Sequence, residues 1–215
     1  MQKDHIIMLA WPEGYVSAAG AWYDKFFSIN GKYRVGHSAA VLINSKEGKA
    51  YYFDFGRYHT PKGYGRVRDE ETDPDLTLPN VNIKSDKIVN LNDILVFLSK
   101  LKSTHGEGRL YASLLSEVSF FDAYNYAKKL QNKGMVKYGP FVYGGTNCSR
   151  FTASLAISSL PPFFKKIRLR FPFTISPSPK RNVSILNNTY YVVDKEKVKI
   201  ISKSKLKAYF SSIEI

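Results

Sequence analysis

The only cysteine in the chain, Cys148, stands in the segment GGTNCSRF, directly before a predicted helix. A cysteine attacks an acyl carbon as the thiolate, and an ordinary thiol, with a pKa of about 8.5, needs help to ionise at neutral pH. The N–H groups and dipole of a helix N-terminus favour negative charge, and the same N–H groups can bind an oxyanion. The position suits a nucleophile. The alternative is a small side chain packed in the core, the commoner role of a lone cysteine.

A thiol nucleophile needs a histidine as its base, and the ring must be held by a third polar group. The chain has four histidines. His37 is the best placed, because it lies near the start of a predicted strand that would hold it rigidly. His5 falls in a terminus that we expect to fray, and His59 falls in a segment rich in glycine and proline. His105 lies in THGEG, which offers only one His and one Glu as metal ligands and lacks the HExxH spacing. No metal site is predicted there.

The third group is expected on the strand that follows His37. The runs YRVGHSAAVLIN and AYYFDFGRY, joined by SKEGK, predict an antiparallel hairpin. A loop centred near Lys46 sets Ala39 opposite Asp54, so Asp54 lies one diagonal from His37 on the same face. Asp54 is therefore predicted to orient the histidine, with Tyr52 in reserve. The alternative is that Asp54 neutralises one of the many arginines.

The order of these residues resembles that of a known group of enzymes. GHSAAVLI and TNCSRF are similar to the strand histidine and cysteine helix of circularly permuted papain-like hydrolases, which include permuted NlpC-type peptidases and the lecithin retinol acyltransferase family. Most of residues 35–180 also resembles an uncharacterised bacterial family. The resemblance implies a permuted papain-like α+β fold, with an antiparallel sheet packed against helices. It also implies Cys148 as nucleophile, His37 as base and Asp54 as orienting group, although Ser149 and Arg150 replace the His or Glu of relatives.

Around these residues the pattern predicts the elements that must position them. Apolar spacing predicts helices over residues 15–29 and in LNDILVFLSKLKS, and RLYASLLSEV predicts a strand. Two further helices are expected, one capped by Ser119 and stopped by Gly134, the other starting near Asn147 and ending before Pro161. Residues 59–80, rich in glycine, proline and charge, predict a long irregular lid or binding loop.

Several other polar residues are candidates for contact with the substrate. Asn147, with the first-turn N–H groups, and Tyr52 are candidates for binding the oxyanion or the substrate. Arg57, Arg66 and Arg68 stand beside tyrosines and suit a phosphate or carboxylate. The alternative for the arginines is a loop held by its own salt bridges to four acids, which are Asp69, Glu70, Glu71 and Asp73.

Composition limits the function classes. The chain has 215 residues, 32 Lys and Arg against 18 Asp and Glu, and a formal net charge of +14. Such a balance favours anionic partners. We expect a hydrolase core over 1–162 and a basic, β-rich extension over 163–215 packed on it. A second hypothesis is therefore a non-catalytic basic module of the same fold that binds nucleic acid or acidic lipid.

The remaining sequence features mainly exclude classes of function. Phosphate-loop, dinucleotide and GxSxG signatures are missing, so nucleotide hydrolysis and serine esterase chemistry are not expected. No cofactor or metal is expected, and the substrate class is an amide, an ester or a thioester. The N-terminal segment has no targeting signal, which predicts a cytoplasmic protein. An effector secreted by a signal-independent route would have the same sequence features.

Overall fold

The computed structural model describes residues 3–17, 25, 30–33, 36–172, 174 and 176–210. The helix predicted over 15–29 lies largely outside these residues. The strands are β1 Asp4–Trp11, β2 Val16–Ser17, β3 Lys32–Tyr33, β4 His37–Asn44, β5 Lys49–Gly56, β6 Tyr64–Arg68, β7 Ile83–Lys84, β8 Lys87–Ile88, β9 Leu110–Val118, β10 Val136–Lys137, β11 Thr189–Asp194 and β12 Lys197–Ser202. The helices are α1 Leu91–Lys100, α2 Phe120–Gln131, α3 Cys148–Ser158, α4 Phe163–Arg170, α5 Pro179–Ser184 and α6 Lys205–Phe210, with short 3₁₀ turns at Pro74–Leu76 and Lys102–Thr104.

One large antiparallel sheet organises the molecule. Its eight strands run in the order β10-β6-β5-β4-β1-β9-β11-β12, and helices cover both faces. Helices α2, α3, α4 and α5 contribute Ala123, Phe151, Leu169 and Val183 to the core on one face. Helix α1 closes the other face with a stripe of apolar residues that includes Ile94. The fold is therefore α+β, as predicted. None of the helices in the described residues has the length and hydrophobicity that a membrane crossing requires.

The predicted hairpin is confirmed, including its register. Strands β4 and β5 pair antiparallel with Ala39 opposite Asp54. The strand β9 and the helices α1, α2 and α3 are also found where the pattern predicts them, and Ser119 caps α2 by accepting a hydrogen bond from the backbone N–H of Asp122 at 3.2 Å. Local side-chain periodicity and caps were therefore sufficient for these elements.

Three predictions differ from the structure. The segment predicted as irregular contains strand β6, where Gly65 is required because a Cβ would stand 2.8 Å from the Gly56 carbonyl and the Phe55 ring. The N-terminal run forms β1 in the centre of the sheet, so His5 is buried rather than frayed.

The third difference concerns the C-terminal region, which is not β-rich throughout. Residues 163–170, with alternating basic and apolar side chains, form helix α4 rather than a strand. Lys, Arg and Leu are good helix formers, and Pro162 stands at the N-cap position of the helix without a side-chain cap. Strand β11 pairs with β9 inside the main sheet, so residues after 163 share the layers of the preceding ones.

A tight turn sets the start of β4 and therefore the position of His37. Gly36 has φ +67°, and a Cβ there would stand 2.1 Å from the Trp11 carbonyl oxygen. We expect Gly36→Ala to lower the free energy of unfolding by roughly 2 kcal/mol more than Gly31→Ala. Gly31 is the matched control, because it has φ +70° and no atom within 4 Å of the place that a methyl group would take. Urea unfolding measures both, and equal losses would contradict the steric argument.

Candidate active site

Cys148 is the first residue of helix α3. The preceding Asn147 caps the helix, its Oδ1 accepting a hydrogen bond from the backbone N–H of Arg150 at 2.8 Å. Cys148 is 7% exposed, so only a small part of its surface reaches solvent. The backbone N–H groups of the first turn have no partner within the helix and point toward the same end. The amide oxygen of Asn147 is thus occupied in the cap.

His37 is the first residue of β4, and its ring joins the thiol to a carboxylate. The Nε2 atom lies 3.0 Å from Oδ2 of Asp54. The ring also neighbours the Cys148 thiol, and each of the two side chains shifts the pKa of the other. The ring of Trp11, opposite His37 in the β1–β4 register, stacks on it with centroids 6.0 Å apart. The imidazole is held at Nε2 by the carboxylate and on one face by the indole.

Asp54 is fully buried, and basic and hydroxyl groups surround its carboxylate. Arg68, directly opposite on β6, donates from Nε to Oδ1 at 3.0 Å and from Nη2 to Oδ2 at 2.7 Å. The hydroxyls of Tyr52 and Tyr58 donate to Oδ2 at 3.1 and 3.0 Å. The guanidinium of Arg68 lies 3.4 Å from the Tyr58 ring centroid. These donors fix the carboxylate and favour its ionised form.

The electrostatics follow from this geometry. Burial alone would favour neutral groups, but hydrogen bonds to Asp54 and Cys148, together with the charges of both, raise the pKa of His37 to about 9. Burial also opposes ionisation of Asp54, yet His37 and Arg68 lower its pKa to about 2. For Cys148, hydrogen bonding and charge from His37 outweigh burial and lower the thiol pKa. Both shifts favour a thiolate beside an imidazolium.

Further polar contacts lock the cysteine helix onto the strand of the histidine. The backbone N–H of Ser38 and the hydroxyl of Ser149 also help to lower the Cys148 pKa. The hydroxyl of Ser38 lies 3.0 Å from that of Thr152 on α3. From α5, the Asn182 amide nitrogen donates to the Ser149 carbonyl at 2.8 Å. Three elements distant in sequence thus hold the thiol against the ring.

The other predicted substrate contacts lie elsewhere or are engaged. Arg68 is 3% exposed, and its guanidinium is bonded to Asp54 within the protein rather than placed toward a substrate. Arg66 pairs with Asp73 through two hydrogen bonds of 2.7 and 2.9 Å. This pair matches the alternative of a loop held by its own salt bridges. The guanidinium of Arg57 lies 5.2 Å from the ring centroid of Tyr138. The hydroxyl of Tyr52 is buried against Asp54 rather than placed toward an oxyanion.

Sequence reasoning missed the groups that surround Asp54 and His37. Tyr58 contacts both Asp54 and His37, and the ring of His105 stacks on Tyr58 at 5.2 Å. The signal available was the alternation YGRVR, which identifies β6 and, once paired with β5, sets Arg68 across from Asp54. No local pattern indicates that Trp11 stacks on His37, because that contact depends on the position of β1 in the sheet.

The comparisons with known proteins agree with this architecture. The profile of the family described as type VI secretion system effector TseH-like matches residues 6–162. The crystal structure of the type VI secretion system effector TseH superposes with a TM-score of 0.63 at 23% identity, covering 94% of this chain and 99% of that one. At this identity the likeness shows a shared fold.

A search among curated proteins finds no significant match. The family assignment therefore rests on the profile, which spans most of β1, the hairpin with His37 and Asp54, and the whole cysteine helix. The chain belongs to the TseH-like family of type VI secretion system effectors.

Proposed function

We propose that the protein is a cysteine hydrolase or acyltransferase of permuted papain-like fold, in which Cys148 attacks an amide, ester or thioester. The observation that carries this proposal is the row of neighbouring groups that runs from the Cys148 thiol through the His37 ring to the Asp54 carboxylate. A buried cysteine that only fills space needs neither a histidine on its sulfur nor a carboxylate on that histidine. The same contacts lower the pKa of the thiol, as nucleophilic attack requires.

The proposed reaction has two steps. The Cys148 thiolate forms a bond to the acyl carbon, and the oxyanion accepts hydrogen bonds from N–H groups at the start of α3. The tetrahedral intermediate collapses, the bond to the leaving group breaks, and His37 gives that group its proton. Water or another acceptor then attacks the thioester while His37 takes the acceptor's proton, and the thiolate is released. No net proton or electron is gained by the enzyme.

Asp54 is a positioning residue in this scheme. Its carboxylate holds the Nε2–H of His37, so that Nδ1 faces the sulfur, and it stabilises the imidazolium. Because the pKa of Asp54 is lowered to about 2, the carboxylate stays ionised throughout the reaction. Arg68 and the two tyrosines keep the carboxylate in place by donating hydrogen bonds to its oxygens.

Membership of an effector family favours action outside the producing cell. We propose delivery through the type VI route and hydrolysis in the recipient, in place of the cytoplasmic location expected from the sequence. The residues of the triad all lie within the matched range of the family profile.

An acyl probe tests the proposed chemistry. The wild-type protein, treated with an activated-ester or acyl-thioester probe, should acquire an acyl adduct on Cys148, detected by peptide mass spectrometry. Cys148→Ala should have no adduct, and Asp54→Asn should form it at least about tenfold more slowly, since the ring loses its anionic partner. Equal adduct formation in native and urea-unfolded protein would contradict the proposal, because an unactivated thiol reacts in either state.

A further inference from the structure

Helix α4 and its flanks expose a cluster of large apolar side chains. Leu160 and Phe171 are 61% exposed, Phe163 is 70% and Phe164 is 77% exposed. Folded monomers rarely present such a cluster unless it contacts something. We call the α4 surface the set made by these four residues with Lys166 and Arg170.

The cations of α4 divide into an inner and an outer group. Lys165 turns inward, its Nζ bonded to the Leu186 carbonyl and the Asn187 side chain. Arg168 also reaches a carbonyl of the core side, that of Ile185, at 3.4 Å. Lys166 and Arg170 make no ion pair within the described part of the chain. They follow Phe163 at helical spacings of three and seven, so cations and phenyl rings share one side.

The chain around this surface carries no compensating acid. Between Asp122 and Asp194 the sequence contains no Asp or Glu, while the same stretch contains a series of cations, which are Lys128, Lys129, Lys133, Lys137, Arg150, Lys165, Lys166, Arg168, Arg170, Lys180 and Arg181. The positive charge of the protein is therefore concentrated in the part that includes α4. A partner of this surface must be anionic and must also accept apolar groups.

We infer that the α4 surface docks on an anionic lipid bilayer. Phosphate headgroups satisfy Lys166 and Arg170, while the boundary between headgroups and acyl chains takes the phenyl rings and Leu160. A nucleic acid would satisfy the cations and could stack on rings, but it offers no continuous apolar layer for a leucine and three phenyl rings together. A bilayer is the anionic partner that matches both kinds of side chain.

Helix α4 follows α3 in the chain and packs against it. Just beyond α4, the Pro172 carbonyl accepts hydrogen bonds from Arg181, and the next residue, Asn182, donates to the Ser149 carbonyl beside Cys148. The end of α4 therefore lies close to the cysteine end of α3, and membrane binding is measured in protein that lacks the thiol.

Vesicle co-sedimentation of the full chain tests the inference. Cys148→Ser protein removes any effect of turnover, and the vesicles are phosphatidylcholine alone or with roughly one quarter phosphatidylglycerol. We expect binding to the anionic vesicles only. Phe163→Ser/Phe164→Ser should weaken that binding at least about tenfold, because two phenyl rings no longer enter the apolar part of the bilayer. Lys166→Glu/Arg170→Glu should weaken it by a similar factor and reduce its salt sensitivity.

Phe121→Ser is the matched control, because Phe121 is also 70% exposed but lies on α2. It should bind as the parent does, and thermal melting should show that each variant is folded. The inference is overturned by the absence of binding to anionic vesicles, or by a loss that Phe121→Ser shares. It is also overturned if light scattering shows a concentration-dependent dimer that Phe163→Ser/Phe164→Ser abolishes, or if only single-stranded nucleic acid binds in a Phe164-dependent way.

Discussion

Replacing His37 with alanine should slow alkylation of Cys148 by iodoacetamide at about pH 6.5 by at least about tenfold. The thiolate is the reacting species, and the hydrogen bond and charge of His37 are the largest contributions that favour it against burial. Each unit of increase in thiol pKa lowers the thiolate fraction about tenfold, while the more basic sulfur is about threefold more nucleophilic. Because the loss of thiolate outweighs the gain in nucleophilicity, a rise in the thiol pKa slows alkylation. The labelling rate of the wild type should fall only as the pH drops through its lowered thiol pKa.

The pH midpoint, rather than the rate alone, decides this prediction. A change in access to the largely buried sulfur alters the plateau rate, whereas a change in ionisation moves the midpoint. The urea-unfolded protein supplies the curve of an ordinary thiol, and His59→Ala is the matched control because His59 is exposed. A wild-type midpoint that coincides with that of the unfolded protein would rule out the activated thiol, and so would an unchanged midpoint in His37→Ala.

Replacing Arg68 with methionine should lower the free energy of unfolding by about 3–5 kcal/mol. The guanidinium and Asp54 are both buried and joined by two hydrogen bonds, so the variant leaves a buried carboxylate with only His37 and hydroxyls as partners. Removing one partner of such a pair costs far more than the pair itself contributes. Urea unfolding at neutral pH measures the loss.

The matched control is Arg66→Met in the same strand. Arg66 makes two hydrogen bonds to Asp73, but both side chains are partly exposed, so the expected loss is about 1 kcal/mol or less. Adding Asp54→Asn to Arg68→Met should cost less than the sum of the two single changes, because the pair is then neutral. Arg68→Lys keeps the positive charge but loses the guanidinium that makes two hydrogen bonds to Asp54. Its loss of stability should lie between those of Arg66→Met and Arg68→Met. Equal losses for Arg66→Met and Arg68→Met would contradict the burial argument.

These two results bear on different parts of one arrangement. His37 sets the ionisation of the sulfur, while Arg68 sets the position and charge of the group that orients His37. If Arg68→Met remains folded, its alkylation midpoint should move less than that of His37→Ala, because the histidine still reaches the thiol. If Arg68→Met mainly lowers stability and His37→Ala mainly moves the alkylation midpoint, the ion pair of Arg68 and Asp54 has a structural role beneath the proposed triad.

Short-range rules accounted for much of the site. The turn SKEGK determined the hairpin register, because a slip by one residue would have turned Asp54 away from the face of the sheet that carries His37. Asn147 before Cys148 identified the helix start, since a side-chain cap is a local interaction. The sequence by itself therefore determined which residue types stand at the end of a strand and at the start of a helix.

Only the tertiary structure decided how these pieces meet. That Cys148 reaches His37, that Trp11 covers the ring and that Arg68 faces Asp54 all depend on the order of β6, β5, β4 and β1 in the sheet. The prediction of a strand at α4 was wrong for the same reason, because alternation in a short basic run has no strand to pair with and helix propensity prevails. Strand partners and burial arise from contacts between segments far apart in the chain, and the free energy of those contacts is not encoded in any single window of residues.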